Sequence, residues 1–355
     1  MRITGNKGEW SELYVLIRLL AEGKICSASE DLQKNADCYL PILKIFRTEE
    51  DSHKIVYVQN SSKSNIELYL NGTFVKKISV DELSKDAEYF YNAIVHGKGK
   101  GSFEIKNAEV MMENLKCKKI KAKSADKTDI LMEVHDPFTN FNQVCGFSIK
   151  SDLGSPPTLF NASKSTNFKF EVLGLNDVEV NKINEINSKS KIKDRVKRIP
   201  ELSFVSVVNE TFAKNLLFID TQMEKILAEM LKIYYGENIS ECSTLASILD
   251  TRDFLGLGTK NLYPHKLKKF LCAVALGLKP TEQWNGTDEA NGGYVIVKED
   301  GEVLAYHLHN RDSFETYLLN HTKLETPSSS KHDFGNIYSE NGKNFINLNL
   351  QVRFI

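Results

Sequence analysis

Residues 129–151, DILMEVHDPFTNFNQVCGFSIKS, constrain the fold more than any other stretch of the chain. Successive side chains of a strand point to opposite faces of a sheet. On that reading Ile130, Met132 and Val134 share one face, with Asp129, Glu133 and His135 on the other. On the return, Cys145, Phe147 and Ile149 oppose Gly146, Ser148 and Lys150. Two neighbouring segments, each with one apolar and one polar or ionisable side, belong in a sheet that buries one face. The pattern predicts strands over 129–135 and 144–151, joined by a loop of 136–143. His135 then faces Val144, and Asp129 stands directly opposite Lys150, with Cβ atoms ~4.5–5.5 Å apart. A one-residue slip would turn one apolar set outward, so burial disfavours it; a two-residue slip survives that argument.

Other periodicities fill in a coarse map. Leu13, Leu16, Ile17 and Leu20 predict an amphipathic helix over 8–22, with Glu9 and Glu12 in its first turn. Ile66–Leu70 and Phe74–Ile78 around Asn71-Gly72-Thr73 read as a hairpin, followed by a helix over 80–95. Asn167–Val172 reads as a strand. Phe212 through Tyr234 reads as one long helix, and His265–Leu278 as another. Tyr294–Lys298 and Glu302–His307 flank Glu299-Asp300-Gly301, a second hairpin. A helix over 312–319 and a last strand over 345–353 complete the map. The fold class expected is α/β (α+β), a mixed sheet flanked by helices, with a mainly helical and hairpin C-terminal region. At 355 residues the chain suits two domains, expected as 1–200 and 201–355, because a lysine-rich polar stretch precedes Pro200.

Composition narrows the class. No apolar run approaches the ~18 residues that a membrane span needs. The first residues lack a signal-like apolar stretch, and six scattered cysteines form no Cys-x-x-Cys pair. A reducing cytoplasm is therefore expected. Net charge is −1, but six lysines fall within Lys116–Lys127 and six basic residues within Lys189–Arg198. Either cluster can neutralise phosphates, or be a solvated face. The first carries more weight because it runs into the hairpin.

A carboxylate beside a lysine on a rigid strand suits metal-assisted phosphodiester hydrolysis. The carboxylate can hold Mg²⁺, a hard cation that prefers oxygen ligands, and the lysine can orient water or neutralise transition-state charge. The same pair could be an ordinary cross-strand ion pair. His307 and His309 share a strand face but lack a third ligand nearby, so a structural role is expected. No His-Glu-x-x-His, Gly-x-Ser-x-Gly or P-loop is present to support another hydrolase.

Asp129 followed by Ser148-Ile149-Lys150 resembles the PD-(D/E)xK nuclease signature, with serine in place of the second acid. Three longer stretches resemble HpaII-type restriction endonucleases, which are type II enzymes recognising CCGG. They are GNKGEWSELY at 5–14, GFSIKSDLGSPPTLFNAS at 146–163 with Thr166-Asn167-Phe168, and LETPSSSKHDFGNIY at 324–338. The likeness implies a PD-(D/E)xK-like core, an Mg²⁺-dependent double-strand cut and a host cytosine methyltransferase that protects the site. It implies Asp129 as principal metal ligand and Lys150 as catalytic lysine. Ser148 stands where many such nucleases hold an acid, and a neutral hydroxyl cannot replace that charge. Glu12 is the expected substitute, with Glu9 and Glu133 as alternatives; helix N-terminal stabilisation is the competing role for Glu9 and Glu12. Expected DNA contacts are Lys127, Ser151, Ser155, Asn161, Ser163, Ser329, Lys331 and His332, each of which could equally sit in an ordinary loop. A palindromic target would suit a homodimer. The rival readings are a repair or junction nuclease and a non-catalytic DNA-binding protein.

Overall fold

A computed structural model describes residues 3–355 apart from 61–63, 98–100, 124–127, 138 and 308–309. The chain divides into two compact units, Met1–Pro157 with Asp288–Phe314, and Thr158–Thr287 with Glu315–Ile355. The expected boundary near residue 200 is therefore displaced. Strand Asn167–Leu173 pairs with Glu201–Val207 on one edge and with Lys343–Asn349 on the other. These non-local hydrogen bonds hold residues 167–200 with the C-terminal region, which a polar sequence stretch cannot reveal.

The first unit is built on a nine-stranded sheet. Its strands include β1 (Lys24–Ala28), β2 (Lys34–Glu50), β3 (His53–Gln59), β4 (Asn65–Leu70), β5 (Thr73–Ser79), β6 (Ile130–Asp136) and β7 (Phe141–Ser151). From one edge the order is β1, Val303–His307, Gly293–Val297, β7, β6, β2, β3, β4, β5. The sheet is mixed. Gly293–Val297 runs parallel to β7, and β1 parallel to Val303–His307, while the other pairings are antiparallel. At Asn71 and Gly72 the backbone takes φ values of 50° and 83°, so β4 and β5 join through the two-residue turn that matches strand twist. Gly293 is required for another reason: with φ at 119°, a Cβ there would sit 1.9 Å from the Tyr306 carbonyl oxygen.

Helix α1 (Lys7–Glu22) starts at a capping box, in which Asn6 and Glu9 satisfy each other's backbone amides, and stops at Gly23 with φ 63°. It is buried on nearly every side, because Ser11, Val15 and Leu19 are covered as well as the expected Leu13, Leu16, Ile17 and Leu20. Helix α2 (Val80–His96) buries Leu83, Ala87, Phe90 and Ile94, and the Phe90 ring lies 6.0 Å from that of Trp10. These helices, the sheet and the apolar residues of β6 and β7 form one core.

The second unit is rich in helices as expected, but the expected hairpin of 294–307 belongs to the first unit and two sheets appear that were not expected. It holds a four-stranded antiparallel sheet, ordered Glu201–Val207, Asn167–Leu173, Lys343–Asn349, Ile337–Glu340, and a three-stranded sheet of Thr322–Leu324, Val352–Phe354 and Thr158–Phe160. The long helix expected from 212 to 234 is two, Glu210–Leu217 and Met223–Glu237. Between them Asp220 accepts from the Gln222 amide and pairs with Lys266, a side-chain turn that competes with helix continuation. The expected last strand is likewise two, interrupted after Asn349, where the Leu350 amide bonds to Thr166 instead.

Candidate active site

The hairpin of β6 and β7 keeps its expected faces but not its expected register. Ile130 pairs with Phe147 and His135 with Asn142, and the ladder continues to Asp136 and Phe141. Asn140, at φ 58°, donates its amide to Asp136 and closes a shorter turn than the one assumed. The strands are thus displaced by two residues, the slip that leaves faces intact. Asp129 consequently lies level with Ser148 rather than Lys150, its amide bonding to the Phe147 carbonyl at 2.9 Å. Ile130, Met132, Cys145, Phe147 and Ile149 are buried in the core.

The Asp129 carboxylate is held by its new neighbours. Its Oδ2 accepts from the Ser148 hydroxyl at 3.2 Å and the Ile149 amide at 2.7 Å. Ser148, which stands where many such nucleases hold an acid, therefore orients the Asp129 carboxylate. Among the described residues Lys150 forms no ion pair, so the cross-strand Asp129–Lys150 bridge is absent.

Helix α1 brings a second carboxylate to the pocket of Asp129. The buried Ser11 hydroxyl bonds to Ser151 Oγ at 2.8 Å, which ties the helix to the end of β7. One residue on, Glu12 lines a small pocket together with Asp129, Arg47 and Ala122. The three acids considered separate by their partners. Glu9 is consumed by the capping box, and Glu133 pairs with Lys44 at 2.7 Å. Glu12 faces Asp129 and pairs with Lys121 at 2.9 Å. Lys121 was visible in the sequence only as one lysine of a cluster.

Electrostatics bind these groups together. Burial, and then the charge of Asp129, push the Glu12 carboxyl above its ordinary value, against the opposing pull of Lys121 and Lys150. Burial lowers the Lys121 ammonium, but the Glu12 hydrogen bond and charge outweigh it and the net direction is up. A carboxyl raised on folding binds its proton more tightly when folded, so stability falls as pH rises past 4.5 and stays lowered above. Glu12→Gln should therefore raise Tm at neutral pH in metal-free buffer. A Tm that is unchanged or lower would mean that the Lys121 pair outweighs burial.

The donor set suits a hard cation. Asp129 and Glu12 are oxygen donors, and the charge of Asp129 disfavours the ionised form of Glu12. Among the described residues no group of three or more His, Cys, Asp or Glu side chains is gathered to hold a metal. Two carboxylates with the remaining positions left to water is how Mg²⁺ is usually held.

The expected DNA contacts are scattered. Lys127 lies outside the described residues, as does His309. Ser151 is committed to Ser11 and to the Leu153 amide, while Ser155 and Asn161 are exposed. Ser163 caps a short 3-10 turn (Lys164–Thr166), and its carbonyl accepts from Asn349. Asn349 also bonds to Asn167, which donates to the carbonyls of His332 and Asp333. Two buried asparagines thus join the 163–167 and 332–333 segments. Ser329 and His332 are half-buried on the short helix Ser329–His332, with Lys331 exposed. His307 is buried on its strand.

The family model of the HpaII restriction endonuclease matches residues 6–354. The type II restriction enzyme HpaII of Haemophilus parainfluenzae is 40% identical over 356 residues, covering 99% of each chain. No solved structure matches. The chain belongs to the HpaII restriction endonuclease family. It is a site-specific deoxyribonuclease. No helix among the described residues is long and apolar enough to cross a membrane.

Proposed function

We propose that this restriction endonuclease cuts both strands of DNA at CCGG, using Mg²⁺ held by Asp129 and Glu12, with Lys150 as catalytic lysine and Ser148 as a positioning residue. The observation that carries the site is the convergence of Glu12 with Asp129 in one pocket, with helix α1 tied to the end of β7 by Ser11 and Ser151 and Asp129 bonded to β7 through the Phe147 carbonyl. The PD-(D/E)xK likeness is part of the same reading. The cation, when bound, supplies Lewis acidity to the scissile phosphate and to the attacking water.

The protein groups do the rest. Ser148 and the Ile149 amide fix the Asp129 carboxylate from one side, so its orientation is set before substrate arrives. Lys150 projects from the same face of β7 and, forming no ion pair among the described residues, can orient the attacking water or meet the charge that develops on phosphate. Lys121 neutralises part of the Glu12 charge. Specificity for CCGG is proposed from the named relative's family and the stretches 146–163 and 324–338. We also take the enzyme to work in the cytoplasm as a homodimer, beside a cytosine methyltransferase.

Incubation with plasmid and Mg²⁺, followed by sequencing of fragment ends, tests this. Every end should derive from CCGG, and chelation should stop cutting. Ends with no shared four-base sequence, or with another one, overturn the specificity. Methylating a cytosine in the site should alter cutting, because the methyl group changes the major-groove surface. Equal cutting with each cytosine modification would rule out major-groove reading.

A further inference from the structure

The two lysine clusters, alike in the sequence, differ in their surroundings. The groove along Lys118–Lys123 is walled by Glu9, Glu49, Glu50 and Asp51 as well as lysines. Lys119, Lys121 and Lys123 pair there with carboxylates at 3.0, 2.9 and 2.9 Å. A phosphate entering it must displace acids already in place.

The cluster in the second unit is different. A cavity of about 440 Å³ is lined by Lys189, Lys191 and Lys193 and by Ser328, Ser329 and Ser330, and no Asp or Glu lines it. Among the described residues Lys189 and Lys191 form no ion pair. Lys193 takes neutral partners, Asn238 Oδ1 at 2.6 Å and the Tyr234 ring at 4.2 Å. Burial and the nearby Lys197 push its ammonium down, a strain that a bound anion relieves. Both sides of the cavity are anchored. Arg195, on the same short helix as Lys193, is buried and donates to the carbonyls of Asn184, Ile186 and Gly335. Those carbonyls lie shortly before the lysines and shortly after the serines, so one side chain steadies the two segments.

We infer that this cavity binds a phosphate group, with the lysine ammonium groups and serine hydroxyls as donors. Tetrahedral phosphate offers several acceptor oxygens, which three cations and hydroxyls without a competing carboxylate can satisfy. The volume exceeds one phosphate and leaves room for what is attached to it. The identification of that phosphate as one of the duplex backbone rests on the nuclease reading; a free anion has the same chemistry.

The test uses the full chain and the double variant Lys189→Ala/Lys191→Ala, with Lys193→Gln as a second variant. Tm in phosphate-free buffer checks that each is folded. Two measurements follow: duplex affinity against salt with Ca²⁺, on a CCGG duplex and a scrambled one, and Tm against inorganic phosphate. A backbone site predicts weaker binding to both duplexes alike, with a salt slope shallower by about 0.9 for each phosphate no longer neutralised. A free-anion site predicts that phosphate raises the Tm of the unmodified chain and not of the variants, with duplex binding unaltered. Unchanged duplex binding together with no Tm response overturns the site. Failure of the nuclease reading would show separately, as plasmid left uncut by the unmodified chain, which neither measurement uses.

Discussion

Lys150→Ala should slow DNA cleavage by a factor on the order of 10²–10³, with duplex affinity nearly unchanged. On the proposed mechanism its ammonium meets the negative charge that develops on phosphate, and among the described residues no carboxylate forms an ion pair with it. Affinity is a sum over many phosphate interactions, and removing one shifts it modestly. Asp129→Ala should also abolish cutting, with binding equal or tighter, because a negative charge beside phosphate disappears. It should in addition leave the Ser148 hydroxyl and Ile149 amide without their acceptor. Cleavage with Mg²⁺ and binding with Ca²⁺ are measured side by side. Near-normal cutting by either variant removes the site assignment. Lost binding with a lower Tm would assign both residues to the fold instead.

Glu49→Ala should cost about 3–5 kcal/mol of stability, since it strands a buried cation. The Glu49 side chain is fully covered, and it accepts from Arg47 Nε at 2.8 Å and from the Lys118 amide at 2.7 Å. Arg47 in turn donates to the carbonyls of Lys119 and Ile120, and His53 bonds to the Lys116 carbonyl. These groups pin the backbone that carries Lys121 to Glu12. The variant should unfold at lower denaturant, and its Lys116–Lys121 amides should exchange faster with solvent. A loss below about 1 kcal/mol would mean that water already reaches the cluster.

The alternation of 129–151 was legible because one buried face demands it, and the pairs Ile130–Phe147 and Met132–Cys145 obey it. The register was not, because a shift by two preserves every buried residue. Turn geometry chose between registers, through Asn140 and Asp136. Strands β2 and β3 were missed altogether. Their apolar positions, Leu40, Ile42 and Ile45, then Ile55 and Tyr57, sit among ionisable residues such as Arg47, Glu49 and His53, which are buried because Arg47 pairs with Glu49 and all three bond to the backbone of 116–120. A sequence pattern scores those three as surface.

By itself the sequence determined the family, the face on which Asp129, Ser148 and Lys150 stand, and the helix that carries Glu12, since local periodicity and long matching stretches need no tertiary information. Tertiary structure decided which acid meets Asp129, because Glu9 is taken by a cap and Glu133 by Lys44. It also decided which lysine cluster is paired with carboxylates. Neighbouring carboxylates come from distant parts of the chain, Glu12, Glu50 and Asp51 beside Lys116–Lys123, none beside Lys189–Lys193 in its cavity. Pairing depends on distance in space, and a run of like charges in sequence says nothing about what folds against it.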